Sequence, residues 1–404
     1  MTGKRSFLFL QGPQSRFFKR LGLAVADHGH QVTRINFCGG DVIHWPAPFT
    51  MSYRGSMVKW PTWVDNLYRQ KNITDLLLFG DRRPLHSEAL LLARQRGIRV
   101  HVFEEGYLRP AHITLEQDGV NGCSCLPSNP DEIRSQAYNL EMPPKTQPLP
   151  NPLKKRVMDA VRHHVGNTLL MPLFPFYRTH RPYTIAWELQ GWIPRYLGRK
   201  KRLQEARQKQ NRIMDQQYRF FLFPLQLDSD FQIRLYSDFT SLTETITHVL
   251  YSFARHAPKD CFLVVKNHPL DNGLINYQEF TTNYAKALGV EHRVIFLDGG
   301  DGGLLMKKAR GMVLVNSTMG LEGLTLGSPV FCLGRAIYAL PGLAVTEKEQ
   351  RLDNFWKQPK GCDPQLLSDF QKIILHQALV YGNFYTDQGI AAAVKGSLQR
   401  IGVS

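Results

Sequence analysis

The chain has 404 residues, 43% hydrophobic and 21% charged, with a formal net charge of +16. That length allows two domains of ordinary size, and the composition excludes a disordered or fibrous chain. The positive balance points to an anionic partner, whether nucleic acid, an anionic membrane or a phosphorylated substrate.

The opening MTGKRSFLFLQGPQ has a basic start, but its apolar stretch is only SFLFL and no small-residue cleavage site follows. No secretory leader is expected. No run approaches the roughly 18 apolar residues of a spanning helix. The longest candidate, GNTLLMPLFPFY, is broken by Pro172 and Pro175. Cys38, Cys123, Cys125, Cys261, Cys332 and Cys362 are scattered, and Cys123-x-Cys125 has no second pair at zinc-site spacing. We therefore expect reduced thiols and a cytoplasmic protein.

In the first third, strand and helix patterns alternate. SFLFLQGP reads as a strand stopped by Gly12-Pro13, and FFKRLGLAVADHGH as a helix with a glycine stop. QVTRINF, DLLLFG and RVHVFEEG read as further strands, with HSEALLLARQRG a helix between the last two. This alternation predicts parallel pairing in a doubly wound sheet. Gly12 to Gln14, after the first strand, is a candidate anion cradle, though it lacks the G-x-G-x-x-G pattern. The proline-rich MPPKTQPLPNPL reads as a linker.

Residues 151–215 carry fourteen Lys/Arg against four acids, a net +10 of the +16. Leu169, Leu170, Phe174, Phe176, Tyr177, Tyr183, Trp187, Trp192 and Tyr196 are interleaved with them. Such a pattern suits a membrane surface or single-stranded nucleic acid, and a plain pair of helices with a solvated basic face would also produce it. No nucleic-acid-binding module signature accompanies it, so no nucleic-acid partner is expected.

Beyond the basic segment the alternation resumes. YRFFLFPLQL, CFLVVKNHP, RVIFLDGG, GMVLVNS and PVFCLG read as strands. SLTETITHVLYSFARHA, NYQEFTTNYAKALG, DGGLLMKKAR and MGLEGLTLG read as helices, with Ser241 or Thr243 near the first N-cap. The tail from Asp363 reads as helical and is expected to pack back on the N-terminal domain. The expected boundaries are residues 1–140, a basic helical insertion 141–215, residues 216–345 and a tail 346–404. The fold class is α/β and GT-B-like: two Rossmann-like domains facing a cleft.

The unusual polar residues fall at strand ends, where ligands of open α/β sheets bind. Glu104 and Glu105 end RVHVFEEG; Gln226, Asp228 and Asp230 follow FFLFP; Lys266, His268 and Pro269 end CFLVVKNHP; LDGGDGG ends the next strand; Asn316, Ser317 and Thr318 follow GMVLV. Five polar strand ends together point to a catalytic cleft, and their types suit glycosyl transfer from a nucleotide donor. The departing phosphate needs donors, which hydroxyls at a helix start and a histidine can supply. A carboxylate must attack the anomeric carbon or deprotonate the acceptor, and Asp228, Asp230, Glu104 and Glu105 are available. The Asp-Ser-Asp string is alternatively a site for a divalent metal.

FLFLQGPQSRFFKRLGLAVADHGHQVTRINFCGGD, FEEGYLRP, PLQLDSDFQI, NHPLD and VNSTMGLEGLTLGSPVFCLGRAIYALPGL together resemble the KpsS/LipB family of Gram-negative capsule assembly. The resemblance covers both Rossmann-like regions and is weakest over 140–215. It implies a retaining β-Kdo transferase that takes Kdo from CMP-Kdo and adds it to a phosphatidylglycerol or lyso-phosphatidylglycerol lipid at the inner membrane. It implies a peripheral membrane enzyme, with other capsule transferases and the export complex as partners. The first domain then takes the acceptor and the second the CMP-sugar. No metal is expected, since CMP-Kdo has one phosphate and His268-Pro269 with Ser317-Thr318 would hold it. By position the nucleophile is Asp230, with Asp228 as rival; Glu104 or Glu105 is the acceptor-side acid/base. Glu322 is a candidate for the ribose hydroxyls, and Lys266, Arg109 and Arg335 for the Kdo carboxylate. A non-catalytic component that holds capsule glycolipid for export is the competing reading.

Overall fold

The computed structural model describes residues 3–144, 146–150, 152–179, 185–227 and 236–403, those of 185–189 without their side chains. The chain divides into two compact α/β units. Met1–Leu126, Glu141–His180 and Lys372–Ser404 form the first, Pro127–Leu140 and Arg181–Gln371 the second.

The strands of the first unit are β1 Ser6–Phe9, β2 Gln31–Asn36, β3 Thr50–Ser52, β4 Asp75–Phe79, β5 Arg99–Glu105 and β6 His112–Gln117. The second unit contributes β7 Arg219–Pro224, β8 Cys261–Lys266, β9 Val294–Leu297, β10 Gly311–Leu314, β11 Val330–Cys332 and β12 Val345–Thr346, and the first unit regains β13 Leu379–Tyr381. The first sheet runs β13-β6-β5-β4-β1-β2-β3. Its members from β3 to β5 pair in parallel; β6 is antiparallel to β5, with Glu104 opposite Thr114, and β13 is antiparallel to β6. The second sheet runs β12-β11-β10-β7-β8-β9 and every pair in it is parallel.

Parallel strands are covered on both faces, so the central ones, FLF in β1, LLLF in β4 and FFLF in β7, are continuous apolar runs rather than alternating. In β1, Phe7 and Phe9 enter a core with Phe17, Leu21 and Ile390, from the helices Phe17–Asp27 and Asp387–Arg400. Leu8 and Leu10 enter the opposite core, with Trp60, Val64 and Ala89 from the helices Trp60–Gln70 and Pro84–Gln95. In the second unit Phe221 and Phe223 of β7 pack with Ile246, Val249 and Phe253 of the helix Leu242–His256. That helix starts at Ser241, whose hydroxyl accepts from the Glu244 N–H at 3.2 Å, half of a capping box.

Residues 141–215, expected as one insertion, divide between the units. The helix Leu153–Leu169 lies on Gly39–His44 in the first, so closely that a Cβ at Gly39 would stand 1.9 Å from the Gly166 carbonyl oxygen. Ile185–Leu197 and Arg199–Asp215 belong to the second. The expected tail 346–404 divides as well, because β13 joins the first sheet. Arg181, Tyr183 and the side chain of Trp187 lie outside what is described. Among the described residues no helix is long and apolar enough to cross a membrane.

At the amino edge of the first sheet, Asp75 is fully buried and accepts hydrogen bonds from Arg5 Nε (3.0 Å), Arg99 Nη2 (3.0 Å), His101 Nε2 (2.9 Å) and Thr74 Oγ1 (2.7 Å). Burial alone would raise its pKa; the bonds from His101, Arg5 and Thr74 outweigh it and hold the carboxyl well below the usual range. A depressed folded pKa contributes stability above the unfolded value of about 3.9 and loses it as pH falls below. Asp75→Ala is therefore expected to lower unfolding stability by about 3–5 kcal/mol at neutral pH, since Arg5 and His101 lose a buried partner. Urea melts at pH 7 and pH 3 should show the gap from wild type narrowing at the lower pH.

Candidate active site

Each sheet reverses its winding at one point, and outside the carboxyl ends of the strands there is where ligands bind. In the second unit the reversal lies between β7 and β10. Gln226, after β7, and Asn316, after β10, bridge that gap reciprocally. The Asn316 backbone N–H donates to Gln226 Oε1 at 3.1 Å, and Gln226 Nε2 donates to Asn316 Oδ1 at 2.8 Å. Because a backbone N–H can only donate, the amide orientation of Gln226 is fixed.

Lys266 ends β8. It is buried, and its ammonium has neither a hydrogen bond nor an ion pair among the described residues. Burial lowers its pKa, against the raising fields of Asp298 and Asp301. A buried ammonium of this kind is a ready site for an anion. His268, two residues on, is half-buried, and Pro269 is exposed. The Leu270 N–H donates to His268 Nδ1 at 3.1 Å, which leaves the proton of the neutral ring on Nε2. The His268 N–H donates to Asn267 Oδ1 at 2.9 Å, while Asn267 Nδ2 donates to Asp271 Oδ2 and Asp298 Oδ1, both at 3.1 Å.

Asp298 follows β9 and is the hub of this corner. Arg195 Nη2 reaches it at 2.8 Å and Arg202 Nε at 3.1 Å, and Arg195 Nη1 also lies 3.4 Å from Asp271. Two cations of the basic segment are thus engaged by Asp298 after β9, and one of them, Arg195, also reaches the loop that carries His268. Gly300 has φ +85°, and the Asp301 N–H donates to Gln210 Oε1 at 2.8 Å; a Cβ at Gly300 would come within 2.3 Å of that oxygen.

After β10, the Met319 N–H donates to Ser317 Oγ at 3.3 Å as the helix Met319–Thr325 begins. The Thr318 hydroxyl has no hydrogen-bond partner among the described residues. Glu322, one turn on, has its carboxyl raised by partial desolvation and then by the charge of Asp301. Arg335, exposed after β11, lies over the Tyr236 ring at 6.0 Å. Gln226, Lys266, His268, Asn316, Ser317 and Thr318 thus share one sheet edge. Asp228 and Asp230 lie outside the described residues.

In the first unit the reversal lies between β1 and β4. Gly12 is buried against Phe18, whose ring carbon Cδ2 would be 2.7 Å from an added Cβ, so packing alone accounts for the glycine; Gln14 is half-buried. Glu104 and Glu105 are neighbours on β5 with different company. Glu105 Oε1 accepts from Tyr385 Oη at 2.7 Å and pairs with Arg156 at 3.2 Å. Glu104 Oε2 faces Gly80 at the end of β4, 3.4 Å from where a Cβ would be. Arg109 is exposed and donates from Nε to the Gly106 carbonyl at 3.2 Å.

Sequence reasoning missed four residues at this edge. Gln11 Nε2 donates to Asp41 Oδ2 at 3.2 Å and to Tyr177 Oη at 3.3 Å, and Arg83 Nη1 donates to Gln11 Oε1 at 2.9 Å. Burial pushes the Tyr177 phenol above its ordinary range. The signal was Gln11 itself, the first polar residue after the strand that borders the reversal. Among the described residues no three or more His, Cys, Asp or Glu are grouped to hold a metal ion.

The family described as "Capsule polysaccharide biosynthesis protein" matches residues 74–385. The capsule polysaccharide export protein KpsS of Escherichia coli is 32% identical over 95% of this chain and 98% of its own length. The capsule polysaccharide modification protein LipB of Neisseria meningitidis serogroup A is 33% identical over 96% of this chain and 93% of its own. Among solved structures, the β-Kdo 2,7 transferase KpsC of Thermosulfurimonas dismutans is 16% identical, covers 98% of this chain and 99% of its own, and has a TM-score of 0.46. With the family matched over most of its length and two such relatives covering nearly all of it, the chain belongs to the capsule polysaccharide biosynthesis proteins.

Proposed function

We propose that the chain is a retaining β-Kdo transferase, moving Kdo from CMP-Kdo to a phosphatidylglycerol-type lipid at the inner-membrane surface to begin the linker of a capsular polysaccharide. The observation that carries the reading is one sheet edge bearing a buried Lys266, a His268 ring with its proton on Nε2, and the Ser317 and Thr318 hydroxyls. This is a donor set for a departing phosphate. Lys266 balances the anion, or the carboxylate of the sugar, and His268 Nε2–H donates to the phosphate oxygen as the bond to the anomeric carbon breaks. Asp230, or its rival Asp228, attacks that carbon and CMP leaves, giving a glycosyl-enzyme ester. Glu104 or Glu105 then takes the proton of the acceptor hydroxyl, whose oxygen displaces the carboxylate and restores the starting configuration. Both carboxylates are engaged, Glu105 by Tyr385 and Arg156 and Glu104 by the Glu105 N–H at 2.9 Å, so the step is carried to either one. With Lys266 and three donors on the phosphate, no metal is required.

The test is a transfer assay with purified protein, CMP-Kdo and a fluorescent phosphatidylglycerol analogue, with and without EDTA, beside Asp230→Ala and His268→Ala. We expect a glycolipid product that survives EDTA, is absent with Asp230→Ala and is strongly reduced with His268→Ala. Loss of product with EDTA would make the Asp228-Ser229-Asp230 string a metal site. The E. coli relative's description as an export protein supports a second reading, a glycolipid-holding component. CMP binding with no transfer to any lipid would favour it.

A further inference from the structure

A surface helix normally turns its apolar stripe inward. Leu153–Leu169 does the reverse. Its buried residues are Asp159, His163 and Gly166, while Val157, Val161, Val165 and Leu169, spaced four apart, are 52, 55, 48 and 71% exposed. The ridge continues into Met171 and Phe176, 65 and 55% exposed. The helix is firmly seated on its polar side. The Gly40 N–H donates to Asn167 Oδ1 at 2.7 Å, and Arg156 pairs with Glu105. So the apolar stripe is held outward by a fixed frame.

The charge around it has one sign. Asp159 is the single acid of residues 152–179, and it is buried with Arg162 3.2 Å away. Lys154, Lys155 and Arg178 are exposed beside the ridge. A second copy is a poor occupant, because a two-fold interface would set this positive rim against itself. An apolar ridge with a cationic rim complements an anionic bilayer, whose surface attracts the cations while the acyl boundary takes the side chains.

We propose that Leu153–Leu169 and the turn after it are the surface by which this protein lies on an anionic membrane, with Val157, Val161, Val165 and Leu169 entering the acyl boundary. The role rests on the reading of a lipid acceptor, but the test needs no turnover.

The full chain is sedimented with phosphatidylcholine vesicles, with and without phosphatidylglycerol. Wild type is expected to bind the anionic vesicles at least about tenfold more tightly than the neutral ones. Val161→Asp with Leu169→Asp should weaken that binding at least about tenfold with an unchanged melting curve, since both sites are exposed. Lys154→Glu with Lys155→Glu should remove most of the preference for anionic lipid. Equal sedimentation of wild type and the aspartate variant, or no binding by wild type, overturns the proposal. So does a wild-type dimer that the aspartate variant dissociates without any vesicle binding. Vesicle binding that the aspartate variant abolishes, in a protein that transfers no sugar, would leave this surface standing and remove the transferase reading.

Discussion

His268→Ala is expected to lower kcat for transfer from CMP-Kdo by about 10²–10⁴-fold, the usual worth of a positioned proton donor. The local hydrogen bonds give the reason. Nδ1 is occupied by the Leu270 N–H and the main chain is held by Asn267 Oδ1, so the neutral ring has Nε2–H as its donor. Alanine removes that donor where negative charge develops on the leaving phosphate. Ground-state binding of CMP depends on Lys266 and the hydroxyls as well, so CMP affinity should fall by less than about tenfold, a loss of at most about 1.4 kcal/mol. Calorimetric CMP titration beside single-turnover kinetics separates the two. If kcat survives, His268 is a turn residue closing the end of β8, and the proton must come from elsewhere.

The inner strands of both sheets could be read from the sequence because strands buried on two faces are short, mostly apolar runs such as FLF and FFLF, while β3, β6 and β12, with TMS, HITLEQ and VT, carry no such run. The site edge of the second unit was legible for a related reason: Lys, Asn and His directly after such a run can only mark its end. What stayed hidden depended on pairings far apart in the chain. Leu379–Tyr381 reads as part of a helical tail, yet it is a strand, because β6 offers it an edge and Leu379 finds Thr114 opposite. The density of cations in 151–215 suggested one solvated or membrane-facing insertion, but charge density does not say which cations have partners. Arg195 and Arg202 have Asp298, and Arg156 has Glu105. Glu104 and Glu105 are equivalent as letters; the fold gives Tyr385 and Arg156 to Glu105 and the Glu105 N–H to Glu104.

Asp298→Ala should show how far the basic segment and the site are one structure. Asp298 is 13% exposed and accepts from Arg195, Arg202 and Asn267 together. Its loss leaves two largely buried guanidinium groups and an amide without their acceptor, at a cost of about 3 kcal/mol. The functional effect follows from Asn267, which holds the His268 main chain and loses one of its two carboxylate partners, retaining only Asp271. A displaced donor loses much of its value, so kcat should fall by about 10–100-fold with KM little changed. Asp298→Asn keeps an acceptor for Asn267 while removing the charge that Arg195 and Arg202 need. It should lose most of the stability and little of the rate. A cycle of Asp298→Ala with Arg202→Ala gives the coupling directly, and the double variant should be less destabilised than the two single losses added together. If Asp298→Ala melts earlier but turns over at the wild-type rate, the Leu270 hydrogen bond alone positions His268. The two arginines would then stabilise the loop after β9 without any part in catalysis.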